Sequence, residues 1–294
     1  MADVEYDMLS ETERKRVWFI SNLSRGFGLE LVQQLLMRGD QVVVTAPNID
    51  KMLDVFPVGE QGLLALSVDP HDTDHVTYAV KTAIAHFGRV DILVNNATAG
   101  ILGAVEEVSD AEILKVMDSN LLASLRMTRA VLPHMRRQRT GRIVNMSTLA
   151  GVGEGAGWGA YSATKAAIEA LSEALAIEVE PLGIGVTLLD PVPFRTDFPG
   201  ESLIIAGKTI DDYYDTAGRT RRRHGVPLGA PLGQAHYYPS AGVASVITAL
   251  TSKHPPQRLV LGHKGYYRAL KRLEDLREEY MAWHDVSLAM DHIL

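Results

Sequence analysis

The sequence predicts an α/β fold: a doubly wound parallel sheet with helices on both faces. Three observations carry this. Short β-rich apolar runs alternate with stretches of helical periodicity along most of the chain. The runs are apolar without a polar alternate face, as strands covered on both sides require. A glycine-bearing turn, Ser21 to Gly28, stands between the first such run and the first helical stretch.

Taken in order, Val17–Ile20 predicts the first strand and the stretch after the turn a helix ending near Met37. Gln41–Thr45 and Gly62–Val68 predict two further strands. Asp72–Phe87 predicts a helix, with Ala79, Ala83 and Phe87 at helical spacing. Asp91–Val94 predicts a fourth strand. Ser109 or Asp110 can cap a long helix reaching toward Arg137, with Pro133 as a site for a kink. Arg142–Met146 predicts a fifth strand, Tyr161–Glu180 a helix stopped by Pro181 and Gly183, and Ile184–Leu189 a sixth strand. Phe198–Gln234 breaks the rhythm. A long irregular segment in a compact domain is usually functional or disordered, and its place suits a lid over a substrate pocket. A helix (Ala241–Thr251), a last strand (Arg258–Leu261) and a C-terminal helix (His263–Trp283) follow. The expected organisation is a leader over 1–15 and one Rossmann-type domain over 16–294. Within it, 198–240 form the lid and 263–294 a helical extension.

Composition narrows the function classes. Net charge is −7, with 46% hydrophobic and 22% charged residues. That balance argues against nucleic acid as a partner. The basic run Arg219, Arg221, Arg222, Arg223, His224 reads as a solvated loop or as an anion-binding or gating loop. The absence of cysteine rules out disulfides, thiolate nucleophiles and zinc–thiolate sites. The ten histidines show no HExxH-like spacing, so no metal is expected. With no signal-like N-terminus and no apolar run of about 18 residues, the expected location is cytoplasmic, with no membrane partner.

Two regions carry chemistry. The glycines of the Ser21–Gly28 turn let backbone approach a pyrophosphate at the positive end of a helix. Tyr161 and Lys165 are i and i+4 on a helix and share a face. An ammonium there favours the phenolate, which suits the tyrosine to moving a proton to or from a substrate oxygen.

Together these segments resemble the short-chain dehydrogenase/reductase family. Ser21-Asn22-Leu23-Ser24-Arg25-Gly26-Phe27-Gly28 is similar to its TGxxxGxG turn, Asn95-Asn96-Ala97 to its NNAG, Tyr161-Ser162-Ala163-Thr164-Lys165 to its YxxxK, and Pro191 through Thr196 to its PGxxxT. The motifs stand in family order. The resemblance implies Tyr161 as acid/base, Lys165 as its tuner and Asn120 as holder of a water. Thr148, thirteen positions before Tyr161, is the hydroxyl partner, with Ser147 as the alternate. It implies cofactor contacts at Ser21, Asn22, Ser24, Arg25, Gly26, Phe27, Gly28, Asp69, Asn96, Ala97, Pro191, Phe194 and Thr196. A largely apolar pocket would involve Leu149, Val152, Trp158, Phe198, Tyr213 and Tyr214, and admit a medium-sized alcohol or carbonyl compound such as a secondary metabolite, steroid-like or retinoid-like molecule. Family members usually pair through the fourth and fifth helices, so a homodimer or homotetramer is expected. Ala163, Ala166, Ala167 and Ala170 would permit close packing there.

NADP(H) is expected over NAD(H). Ala46-Pro47-Asn48 offers no carboxylate to a ribose 2′-hydroxyl, and Arg25 suits a 2′-phosphate. Five positions depart from the family pattern and could weaken or remove cofactor binding. Asn22, Thr98 and Val192 each replace a glycine, Pro70 removes an N–H beside Asp69, and Pro47 stands where relatives often carry Arg. Three functions fit these residues: an NADP(H)-dependent oxidoreductase, a redox-silent isomerase, cyclase, epimerase or lyase working by proton transfer, and a non-catalytic nucleotide-sensing or scaffold protein.

Overall fold

The computed structural model describes residues 15–23, 26–49, 56, 61–96, 99–148, 155–191, 203–224 and 239–289. Their order is β1 (Val17–Ser21), α1 (Phe27–Met37), β2 (Gln41–Ala46), β3 (Leu63–Ser67), α2 (Thr73–Phe87), β4 (Ile92–Asn95), β5 (Gly100–Leu102) and α3 (Asp110–Met117). A π turn (Asp118–Leu122) leads into α4 (Ala123–Gln138), then β6 (Gly141–Met146), α5 (Gly159–Val179), β7 (Ile184–Asp190), β8 (Leu203–Ile205) and α6 (Ala217–His224). The chain continues through α7 (Pro239–Thr251), β9 (Arg258–Val260), α8 (His263–Ala282) and a short α9 (His284–Leu288).

Seven strands form one parallel sheet in the order β3-β2-β1-β4-β6-β7-β9. The chain winds outward from β1 to β3, returns to β4, and winds outward the other way. Strand order therefore reverses between β1 and β4, which opens a crevice at their carboxyl ends.

The apolar runs serve two cores at once. In β1, Trp18 and Ile20 face the layer of α1 and α7, while Val17 and Phe19 face the layer of α2, α4 and α5. Val42 and Val44 against Val43 in β2, and Ile92 and Val94 against Leu93 in β4, repeat the division. Both faces are covered, which is why no polar alternation shows in the sequence.

A polar belt crosses the sheet inside this apolar frame. Asn95 Nδ2 donates to Thr128 Oγ1 (3.1 Å) and to Asn145 Oδ1 (2.8 Å). Asn145 Nδ2 donates to Ser172 Oγ (2.7 Å), and Ser172 Oγ to the Ile168 carbonyl (2.7 Å). The belt thus links β4, β6, α4 and α5, all through buried groups.

Three expectations change. The helix foreseen from Ser109 toward Arg137 is divided by the π turn at 118–122, and Pro133 stands inside α4. Ser109, not Asp110, is the cap, in a reciprocal capping box with Glu112. The irregular lid carries structure: β8 pairs in parallel with β5, a strand the sequence did not suggest, and the basic run forms α6 rather than a loop. Among the described residues, no helix is long and apolar enough to cross a membrane.

Replacing Asn145 by alanine strips a partner from Asn95 and from Ser172 in a dry environment. The expected loss is about 2–4 kcal/mol, read as a lower urea midpoint. An unchanged midpoint would mean that the belt does not hold the strands.

Candidate active site

The crevice is built first by the turn after β1. Asn22 takes a left-handed conformation, φ 51°, which asparagine tolerates better than most residues. Its N–H donates to Thr45 Oγ1 (3.1 Å), and its carbonyl accepts from Asn96 Nδ2 (3.2 Å). Gly26, at φ 93° and ψ −120°, occupies a region open essentially to glycine alone. A Cβ on Gly28 would stand 2.9 Å from Asn96 Nδ2, so glycine here leaves room for the Asn96 side chain against α1. The first turn of α1 has no side-chain cap. The positive end of this helix and the glycine cradle fit the pyrophosphate of a dinucleotide.

On the far side of the turn, Asp69 is exposed and its Oδ1 accepts the His71 N–H (2.9 Å). Pro47 contributes its carbonyl to Ser67 Oγ (2.9 Å). Ser24, Arg25, Ala97, Thr98, Leu149, Val152, Val192, Phe194, Thr196 and Phe198 lie outside the described residues.

α5 carries the tyrosine and lysine that the sequence singles out. Tyr161 and Lys165 lie on its buried face, as their spacing requires. Lys165 is 0% exposed. Its Nζ donates to the Met146 carbonyl (2.9 Å) and lies 5.8 Å from the centre of the Tyr161 ring. Burial pushes its ammonium down to about 7, against the pull of the Asp190 and Glu169 carboxylates. The Tyr161 ring lies in a cluster with Ile101, Leu102, Val116, Trp158 and Ala160. Trp158 is tilted against it, with centroids 5.5 Å apart.

The π turn aims Asn120 into the same region. Its Oδ1 accepts the Ala99 N–H (2.6 Å), and its Nδ2 donates to the Ala99 carbonyl and to Thr164 Oγ1 (both 2.9 Å). Thr164 Oγ1 in turn donates to the Tyr161 carbonyl (2.8 Å). Asn120 therefore braces the loop after β4 against α5, and both its amide protons are used in doing so.

Thr148 and Ser147 follow β6, both buried. Ser147 Oγ donates to Glu169 Oε1 (2.6 Å). This joins it to a charged cluster that the sequence reading missed. Arg258 donates to Glu169 Oε2 (2.9 Å) and to Asp190 Oδ2 (3.0 Å). Burial pushes the Asp190 carboxyl up, and Glu169 adds to this against the pull of Arg258. The signal available in the sequence was a carboxylate at the end of an otherwise apolar strand, directly before Pro191.

Of the pocket residues, Trp158 packs in the cluster beneath Tyr161. Tyr213 borders a cleft with Ala104, Val105, Ala156 and Thr216, and donates to Glu106 Oε2 (2.8 Å). Tyr214 is not a wall of that cleft: it is 60% exposed and stacks under Arg222, 3.7 Å from ring centre to guanidinium. Arg221 is not a solvated charge either. It pairs with buried Glu107 and donates to Thr209 Oγ1 (2.8 Å), fastening α6 to the loop after β5. The Ala104 and Ile210 N–H groups, with Arg221, outweigh burial and hold the Glu107 carboxyl low.

Comparison with known proteins gives one answer. A family model described as short chain dehydrogenase matches residues 16–203. The chain is 32% identical over 275 residues to Oxidoreductase BOA17 of Botryotinia fuckeliana, covering 93% of this chain and 98% of that protein. It is 33% identical over 249 residues to the 3-ketodihydrosphingosine reductase of Bacteroides thetaiotaomicron, covering 84% and 88%. The crystal structure of a short-chain dehydrogenase from Streptomyces avermitilis superposes with a TM-score of 0.84 at 33% identity, covering 93% of this chain and 98% of that one. The family model spans more than half of the chain, and the fold is that of the Streptomyces structure: the chain belongs to the short-chain dehydrogenase/reductase family of oxidoreductases.

Proposed function

We propose that this protein interconverts a carbonyl and a secondary alcohol on a medium-sized apolar substrate, with NADP(H) as cofactor. The observation that carries this is the placement of Lys165: an ammonium shut away from water, 5.8 Å from the Tyr161 ring centre, on one helical face. A water-exposed lysine would be screened and would do little to a phenol. One in a dry site acts on it strongly.

A bound nicotinamide supplies or accepts the hydride. The chain's residues do the rest. The Thr148 hydroxyl holds the substrate oxygen by a hydrogen bond. Tyr161 gives its phenolic proton to that oxygen as a carbonyl is reduced, and takes it back when an alcohol is oxidised. Lys165 stabilises the phenolate between the two events. Thr148 is preferred over Ser147 by its spacing of thirteen residues from Tyr161, the position of the family's hydroxyl partner. Ser21, Asn22, Gly26, Phe27, Gly28 and Asn96 would border the pyrophosphate, and Pro191 the nicotinamide end. The preference for NADP(H) rests on Arg25 and on the absence of a carboxylate in Ala46-Pro47-Asn48. Reduction of a ketone is favoured by the name of the Bacteroides relative. A homo-oligomer formed through the α4–α5 face is consistent with Ala163, Ala166 and Ala170, which are exposed on α5.

One observation favours a second reading, proton transfer without redox chemistry. Asp69 is engaged by its own loop at His71, and Pro70 has no N–H to offer an adenine. Titration of Trp fluorescence separates the readings, because Trp158 stands beside Tyr161. Quenching by NADPH and NADP⁺ at lower concentrations than by NADH and NAD⁺ is expected. If no nucleotide binds below about millimolar while turnover persists, the second reading replaces the first. Tyr161→Phe should lower kcat by about 100-fold or more in either case.

Burial of Lys165 also has a sign in stability. Its amine sits near 10.5 when unfolded and about 7 when folded. The folded state is therefore penalised in full below about pH 7, and the penalty fades as pH rises toward 10.5. Lys165→Met should be more stabilising at pH 6 than at pH 10, with a change of the order of 1 kcal/mol per pH unit between 7 and 10. Equal effects at both pH values would show that the amine titrates normally.

A further inference from the structure

Among the described residues, the densest run of exposed large apolar side chains lies on α8 and α9, beyond the carboxyl end of β9. The start of α8 rests on the body, and beyond it only Leu276 is half-buried among the described residues. Gly265 is buried and Ala269 packs half-buried against the core. From Arg277 to the end of α9 every described residue is exposed. A helix of 20 residues is about 30 Å long, so most of α8 stands in water.

Its exposed residues are not those of a solvent-facing helix. Leu273 is 64% exposed, Tyr280 71%, Met281 62% and Trp283 62%. The spacing is regular. Tyr266, Leu273 and Tyr280 are seven apart, and Ala269, Leu276 and Trp283 fall between them at the same interval. That is a heptad seam. A marginal helix carrying such a stripe is stabilised chiefly by covering it.

The charges say what covers it. Residues 263–272 carry Lys264, Arg268, Lys271 and Arg272 and no acid. Residues 273–282 carry Glu274, Asp275, Glu278 and Glu279, with Arg277 the single base. The two halves are opposite in sign and the whole is nearly neutral. A near-neutral helix has no net attraction to an anionic membrane or to nucleic acid. It is complementary to itself turned end for end.

We propose that α8 is an interface with a second copy of this chain, formed by antiparallel pairing of the two α8 helices about a two-fold axis. In the register set by the seam, Leu273 of one copy meets Leu276 of the other. Tyr280 meets the small Ala269, and Arg272 faces Glu279, twice by symmetry. Parallel pairing would set base against base and acid against acid. This surface is separate from the α4–α5 face, so it joins monomers into dimers or dimers into tetramers.

The test is the mass of the full-length protein by sedimentation equilibrium. Leu273→Asp should halve the mass at micromolar concentration with an unchanged circular-dichroism spectrum, because residue 273 is mostly exposed. Arg272→Glu alone and Glu279→Arg alone should each weaken assembly by about tenfold or more through paired like charges. The double variant R272E/E279R should recover it to within about threefold. Unchanged mass in Leu273→Asp overturns the proposal. So does a double variant no better than either single one, since that removes the Arg272–Glu279 pairing. Binding of wild-type protein to phosphatidylcholine–phosphatidylserine vesicles, lost in Leu273→Asp without a change of mass, would assign the stripe to a membrane surface instead.

Discussion

A lysine ammonium held out of water is the constraint that organises the centre of this molecule. Removing an ion from solvent is costly, and the cost is met only where surrounding groups are fixed in place. The Met146 carbonyl at the end of β6 takes one N–H of Lys165. Asp190 at the end of β7 and Glu169, one turn further along α5, supply negative charge from behind. Arg258 from β9 pairs with both carboxylates. The ends of three adjacent strands are thereby committed to one side chain. The sheet that carries the site is also its electrostatic ground.

The polar belt is the other half of that arrangement. Asn95 and Asn145 sit side by side in β4 and β6, amide to amide, in a layer that is otherwise apolar. Each bonds to its neighbour because both are buried and an unpaired amide there would be costly. This fixes the register of strands whose carboxyl ends form the crevice. It also fixes α5, through Ser172, beneath them. Asn120 does the same work from the other direction, through Thr164. Tyr161 is thus braced at its own backbone, by a neighbour in its helix, rather than through its ring alone.

Much of this was legible in the sequence. The strand runs, the turn glycines and the Tyr161–Lys165 spacing follow from local periodicity and stereochemistry, and those strands and helices stand within a residue or two of their expected ends. Less visible was whatever depends on long-range geometry. β5 and β8 are three residues each and pair across a separation of about a hundred residues, which leaves no local pattern to read. The basic run looked like a solvated loop, because the partner of Arg221 is a buried carboxylate in a distant segment. The π turn hid inside a helix of ordinary composition. Asp190 and Arg258 are single charges in apolar runs, and only the fold brings them to one place.

The small two-stranded sheet has a mechanical consequence. β5 follows directly on the loop that Asn120 braces, and β8 opens the segment that runs on to Tyr213 and α6. Bonded edge to edge, the two cannot part independently, and Arg221 with Glu107 adds a second rivet nearby. The cleft bordered by Tyr213 and the loop that Asn120 braces are thus tied to one small sheet. Strain on either strand is therefore carried to the other.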